Sequence, residues 1–304
     1  MTSPSVSILE KTWLAYVMLV FTTLCWGFNA VFGKLIVGEI SPMAIVSIRW
    51  FGVAVLLLVF FNKPVRRDWP QLRKHLLFFS IMGIVGYASF NALFYVASHS
   101  TSGVNIGILQ GSIPIFVFFG AFVAFRTPVT LMQAAGVSVA FVGVVIVASG
   151  GDIANLRNLT FNTGDLIMIV ACSFYAAYTV GLRNRPQVSA MGMFTVMAGA
   201  AFLASLPMVA IEVYSGQFLA PSPKGWIYAG LITLFPSFLA QLSFIHAVKL
   251  IGPGRAGVMI NLAPIFASGL SVLILNEPFK LFHGMALVLV LGGILLSERG
   301  KTKN

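Results

Sequence analysis

Ten apolar runs of about twenty residues follow one another along this chain with only short connections between them. They lie at 13–33, 42–61, 76–97, 103–125, 130–148, 164–182, 191–214, 226–248, 256–275 and 280–297. An α-helix rises 1.5 Å per residue and the hydrocarbon core of a bilayer is about 30 Å thick, so about 20 apolar residues make one crossing. Transmembrane strands would read as alternating segments of about ten residues, not as continuous runs. The expected fold is all-α integral membrane, with ten transmembrane helices. A soluble alternative fails on composition: 58% of the 304 residues are hydrophobic and 9% charged, against about 45–50% and about 25% in soluble globular chains. Cys25 and Cys172 both fall inside apolar runs, which excludes a disulfide framework.

The net charge of +11 does not point to nucleic acid, because the basic residues sit in short loops and form no basic face. They orient the chain instead. With the N-terminus cytoplasmic, the inner side holds fourteen: Lys11, Lys63, Arg66, Arg67, Arg73, Lys74, Arg126, Arg183, Arg185, Lys249, Arg255, Arg299, Lys301 and Lys303. The outer side holds four, Lys34, Arg157, Lys224 and Lys280, and Arg49 lies within the second run. Short cytoplasmic loops carry an excess of Lys and Arg, so both termini are expected in the cytoplasm, with the protein multi-pass in the inner (plasma) membrane.

The chain also matches itself. A shift of 150 places Phe94 on Phe244, Ala97 on Ala247, Gly107 on Gly257, and Pro114-Ile115-Phe116 on Pro264-Ile265-Phe266. Pro128, Leu131 and Gly143 then meet Pro278, Leu281 and Gly293, and a shift of 148 sets Trp26 on Phe174 and Gly33 on Gly181. The organisation that follows is a first five-helix repeat over 1–149, an outer linker over 150–163 and a second repeat over 164–304. Five is odd, so the second repeat enters the membrane from the opposite side and the two are inverted. Inverted repeats recur in secondary transporters, where the binding site lies near the midplane between the repeats and access alternates.

Several local motifs resemble those of the drug/metabolite transporter superfamily, in particular the EamA-type ten-helix exporters. Trp26-Gly27-Phe28-Asn29 followed by Lys34 is similar to the opening of the first helix in that family, and Ser41-Pro42 with Arg49 to its second-helix entry. Asn105 through Pro114 and Arg255 through Pro264 resemble its fourth and ninth helices, and Asn276-Glu277-Pro278 the turn before its last. The chain departs from the family pattern at Thr127, where the first-half counterpart of Glu277 is not acidic, and at Ser173-Phe174-Tyr175, where a tryptophan is usual. Family members include bacterial amino-acid exporters, among them aromatic amino-acid exporters of the YddG type. The resemblance implies a metabolite exporter with a central cavity lined by the first four and the sixth to ninth helices.

Candidate substrate-binding residues are Trp26, Asn29, Arg49, Tyr87, Asn91, Gln110, Tyr175, Tyr178, Gln241 and Asn261. Arg49 lies about eight residues inside its run, roughly 12 Å deep at 1.5 Å per residue. A cation there either attracts a substrate carboxylate or is structural, bonded to carbonyls or reaching for the interface. Asn91 and Gln241 are repeat mates that either line the cavity or join helices by hydrogen bonds; Gln110 and Asn261, beside the prolines, read the same way. Among the aromatic residues, Trp26, Tyr175 and Tyr178 stand out because they lie on the opening helices of the two repeats. Rings at these places could hold an apolar side chain or stack on an ammonium. Gly107, Pro114, Gly257 and Pro264 read as hinge and close-packing positions, since proline removes a helix hydrogen bond and small residues let helices approach.

All eight acids fall in loops or at run ends, so no buried carboxylate is expected to couple protons to transport. The apolar runs hold no nucleophile, metal-ligand or paired-carboxylate motif, so the chain reads as no enzyme, with no cofactor and no metal. The expected function is export of amino acids, including aromatic or apolar ones, and similar small zwitterionic metabolites by alternating access. Its partners are the bilayer and that cargo, with no nucleic acid, and it works as a monomer. The competing reading within the same superfamily is a nucleotide-sugar or phosphate-ester transporter.

Overall fold

The computed structural model describes residues 8–126, 129–152, 154 and 161–300. Ten helical spans are long and apolar enough to cross a membrane: Thr12–Leu35, Pro42–Phe60, Asn62–Ser98, Gly103–Phe125, Leu131–Ala148, Thr163–Asn184, Ala190–Tyr214, Pro223–Ile251, Arg255–Leu275 and Leu281–Arg299. They are called spans 1 to 10. Nine agree with the expected runs to within a few residues. Span 3 begins earlier, because an amphipathic helix, Asn62–Leu72, precedes its apolar part and buries only Val65 and Leu72. Its charges and Pro64 and Pro70 hide it from a search for apolar runs. The expected linker falls mostly outside the described residues.

The inter-span loops fall into two groups by their hydrogen bonds. At one end of the bundle, Lys34 bonds to the carbonyls of Ser98 and Thr101, Asn162 to that of Ser100, Ser41 to Glu212, Ser222 to Glu39, and Glu277 to the amides of Gly103 and Val104. At the other end Asp68 accepts from the Ser189 amide, and Thr130 donates to the carbonyl of Gly300. We call these the Lys34 end and the Asp68 end. Successive loops alternate between them, so span 1 starts from the Asp68 end and span 6 from the Lys34 end.

Local irregularities recur at a spacing of about 150 residues. Span 4 breaks at Gly111–Ser112 and span 9 at Asn261. Pro114 and Pro264 stand three residues past Gly111 and Asn261, and each leaves the carbonyl four residues before it, on Gln110 or Ile260, without its helical donor. Wider π turns interrupt span 3 at Ile84–Ser89 and span 8 at Thr233–Leu239. In the second, Pro236 has no N–H to offer the Ile232 carbonyl, and the Ser237 hydroxyl bonds to that oxygen instead. Spans 4 and 9 both end in left-handed residues, Arg126 at φ 50° and Asn276 at φ 53°.

Close packing fixes the pairs. In spans 5 and 10 a Cβ on Gly293 would lie 2.5 Å from the backbone of Ala140 and of Gly136, which permits no side chain. Gly107 packs just as tightly: a Cβ there would meet Ala267 of span 9 at 2.7 Å. Its repeat mate does not follow, since a Cβ on Gly257 would meet nothing within 4 Å. The packing reading therefore holds for Gly107 and fails for Gly257, because the wall facing residue 257 stands back.

Candidate functional site

The π turn in span 3 sets up the interior site. Widening the turn leaves the Tyr87 carbonyl reachable from one turn ahead, and the Asn91 amide nitrogen donates to it at 2.6 Å. That bond aims the Asn91 Oδ1 at span 2, where it accepts from Arg49 Nη1 at 2.8 Å. The same nitrogen donates to Tyr95 Oη at 2.8 Å and to Asn29 Oδ1 at 3.2 Å, and Tyr95 passes its own proton on to Asn29 at 3.3 Å. Three spans thus converge on one guanidinium, which is only 6% exposed.

Everything those bonds offer is neutral. Among the described residues Arg49 is in no ion pair. Its Nε is buried and has no hydrogen-bond partner, and the same is true of the indole nitrogen of Trp50 beside it. The guanidinium carbon stands 5.2 Å from the Trp50 ring centroid, within the range of a cation–π contact. Trp50 stacks flat on Tyr87 at 4.4 Å, and Tyr87 leads on to Tyr178 at 5.5 Å, Tyr178 to Tyr175 at 5.3 Å and Tyr175 to Phe90 at 5.1 Å. The result is a buried cation set at the edge of a continuous aromatic wall from spans 2, 3 and 6.

Of the ten expected site residues, the structure gathers six here: Asn29, Arg49, Tyr87, Asn91, Tyr175 and Tyr178. Trp26 belongs elsewhere. Its indole donates to the Pro236 carbonyl of span 8 at 3.2 Å and its ring packs on Phe244. Gln110 turns back on its own helix, to the Ile106 carbonyl, and Asn261 marks the span 9 break. Gln241, the mate of Asn91, makes no hydrogen bond among the described residues, and Ile245 stands where Tyr95 has its mate. Trp50 and Tyr95 complete the site and were missed in the sequence. Spacing could have found Tyr95, which follows Asn91 by one turn; Trp50, directly after Arg49, carried no such signal.

A crevice of about 450 Å³ lies apart from this site, at the Lys34 end, bordered by Lys34, His99, Asn105, Glu277, Lys280 and His283 among others. Desolvation first, then the neighbouring Lys34, lowers the His99 pKa below the usual imidazole value. Beneath the crevice Asp165 takes bonds from the Thr101 hydroxyl and the Asn105 amide, and Glu212 from the Ser41 hydroxyl and the Met43 amide. These two carboxylates sit at span ends, as the sequence has them, yet they are 1% and 8% exposed. The loops fold over these span ends and exclude water there, so two of the acids expected at span ends are buried without lying deep in the membrane.

The comparisons with known proteins agree with this architecture. The EamA-like transporter family matches the chain twice, over residues 13–149 and 162–299. An uncharacterized transporter of Bacillus subtilis (strain 168), YyaM, is 29% identical over 291 residues, covering 93% of each chain. An uncharacterized inner membrane transporter of Escherichia coli (strain K12), YedA, is 24% identical, covering 91% of this chain and 88% of that one. A solved crystal structure superposes with a TM-score of 0.62 at 16% identity, over 93% of this chain and 95% of the other, and so shares its fold. This multi-pass membrane protein belongs to the EamA-like transporter family.

Proposed function

We propose that this protein is an alternating-access carrier that exports amino acids, aromatic or apolar ones included, and similar small metabolites. The observation that carries the reading is Arg49, a buried cation held by neutral groups of spans 1, 2 and 3 against an aromatic wall. A cation at that depth is costly without a partner, and a cargo carboxylate supplies one. The wall then takes the apolar side chain. Trp26 and Gln110 in the first repeat and Gln241 and Asn261 in the second complete the proposed path, and the proline breaks at 114 and 264 give spans 4 and 9 a place to bend.

Two inverted repeats, 1–149 and 164–304 about a linker at 150–163, underlie the proposed cycle. The two family matches and the opposite starting ends of spans 1 and 6 support them. The excess of Lys and Arg at the Asp68 end supports a cytoplasmic location for that end and for both termini, in the inner membrane. The proposed unit is a monomer, neither enzyme nor metal- or cofactor-dependent. The phosphate-ester reading ranks second, because a phosphate dianion calls for more than the single interior cation.

Counterflow tests the reading. Proteoliposomes preloaded with a panel of amino acids are expected to accelerate entry of a labelled member at least several-fold, and no acceleration by any of them overturns it. Asp165 and Glu212 are bonded at the Lys34 end and away from Arg49, so transport is proposed to run down the cargo gradient without proton coupling. Cargo-driven proton flux in the same liposomes would contradict this.

A further inference from the structure

We infer that the Arg49 site selects a cargo with a net negative charge, an aryl or alkyl monocarboxylate such as a 2-oxo acid, over the zwitterion of the same skeleton. The inference rests on the carrier reading above and narrows its substrate class.

A guanidinium presents five N–H groups in a fixed plane. Nη1 is spent on Asn29, Asn91 and Tyr95. Nε has no partner and is buried. Nη2 makes no hydrogen bond either, and it is not among the buried unpartnered atoms, so it keeps accessible surface. Nε and Nη2 form one edge of the plane, the edge that takes the two oxygens of a carboxylate side by side. The Trp50 indole N–H, on the ring whose centroid lies 5.2 Å from the guanidinium carbon, is also buried and unpartnered. The unmet groups of Arg49 and Trp50 are all donors. The group that satisfies them is an acceptor with no proton of its own.

Among the described residues no carboxylate stands at this site to pair with an ammonium. The oxygens of Asn29 and Asn91 already accept from Arg49, and the hydroxyls of Tyr87 and Tyr178 face each other at 3.4 Å. Glu39, Asp165, Glu212 and Glu277 are tied into the Lys34 end, and Asp68 into the other. An amino acid bound through its carboxylate would hold its ammonium one carbon away, beside the guanidinium and out of water. Like charges at that range repel strongly in a medium of low dielectric constant. Removing the ammonium removes the repulsion and leaves the ring on the wall. A monoanion also neutralises the single cation, whereas a dianion overshoots it.

Four compounds with one ring and four charges test this: phenylpyruvate, phenylalanine, phenethylamine and phenyl phosphate. Each is measured for binding to the purified full-length protein by the quench of its tryptophan fluorescence and for counterflow in proteoliposomes. Phenylpyruvate stays ionised at neutral pH and does not leak through the lipid. It is expected to bind at least tenfold tighter than phenylalanine or phenyl phosphate, with phenethylamine inert. Arg49→Gln is expected to weaken phenylpyruvate about a hundredfold and to abolish the discrimination, and Arg49→Lys, which keeps the charge without the edge, about tenfold. If Arg49→Gln does not fold, Trp50→Phe removes the second donor and is expected to weaken phenylpyruvate several-fold while leaving phenylalanine's deficit smaller. Phenylalanine binding as tightly as phenylpyruvate overturns the inference, whatever counterflow gives. Selective binding of phenylpyruvate without counterflow of any compound upholds it and overturns the carrier reading.

Discussion

The two ends of the bundle close in different ways. At the Asp68 end, spans 1, 8 and 9 meet in a small apolar seam: Ala15, Leu19, Ala247 and Ala256 are fully buried against one another. A shift of 150 carries Ala247 and Ala256 back to Ala97 and Ile106, which are equally buried at the Lys34 end. There the seam has a polar latch added to it. Lys34 holds the carbonyls of Ser98 and Thr101, Asp165 holds Thr101 and Asn105, and Glu277 caps the start of span 4 with both carboxylate oxygens. None of the three has a like residue at its repeat position: Glu277 falls on Thr127 and, at a shift of 148, Lys34 on Leu182 and Asp165 on Val17.

An apolar seam of small side chains loses little when it parts and can slide as it does so. Charge-assisted hydrogen bonds are directional, and each contributes about 1.5–3 kcal/mol. In the proposed alternating-access cycle, ends of these two kinds bias the protein: the latched end stays shut at rest, and cargo binding must supply the difference. A ligand shifts such an equilibrium only by its differential affinity for the two states.

The largest effect is expected from removing the double bond to the start of span 4. Glu277→Gln offers one oxygen in place of two and no charge to the helix N-terminus, where a carboxylate is favoured. The loss is about 3 kcal/mol, which moves the equilibrium toward opening of the Lys34 end by roughly a hundredfold. Ser98 is fully buried beneath the latch, so a cysteine placed there reports the change. Its reaction with a membrane-impermeant maleimide is expected to accelerate by at least tenfold in the variant. Cys25 and Cys172 are both buried and add little background. Unchanged labelling would mean that the latch does not hold the end shut.

Next in size is Asp165→Ala, which leaves the Thr101 hydroxyl and the Asn105 amide unpaired beneath the loops. An unsatisfied buried polar group costs about 1–3 kcal/mol. The expected readout is the same labelling, faster by about tenfold, together with a lower thermal midpoint. A lower midpoint without faster labelling would make Asp165 a support of the fold and not part of the latch.

These features were unequally legible in the sequence. The spans were plain, because twenty apolar residues have few other places to be, and the proline breaks were visible at 114 and 264. Arg49 stood out by its charge, Asn91 as the repeat mate of Gln241, and Asn29 within the family motif of the first span. The latch was not legible as a latch: Lys34, Asn105 and Glu277 appeared only as family motifs, since bonds between loops sixty or more residues apart leave no local period to read. Asp165 and Glu212 looked solvated for the same reason. Trp26 misled in the opposite direction, as its place on an opening helix was clear while its partner, the Pro236 carbonyl, exists only because the span 8 π turn frees it.

The apolar seam offers the converse test. Ala247→Leu forces three more carbons into a contact where the alanine is fully buried. Overpacking of this kind costs about 1–3 kcal/mol, here charged against closure of the Asp68 end alone. A cysteine at Leu19 is expected to label several-fold faster from that side, while the Ser98 reporter at the Lys34 end slows. Counterflow is expected to fall, because a carrier held open at one end cannot complete its cycle.

The smallest effect is expected from Lys34→Met. Both of its acceptors are backbone carbonyls, and Lys34 and Thr101 border the open crevice, so water can replace the ammonium more readily than it can replace Glu277 at buried amides. With water taking the place of the ammonium, the net loss falls below the range for a charged bond, to about 1 kcal/mol, and Ser98 labelling should rise roughly fivefold. The order of the variants carries the argument. If Lys34→Met exceeded Glu277→Gln, the latch would be a matter of the cation holding the loop between spans 3 and 4, and the cap on span 4 would be incidental to it.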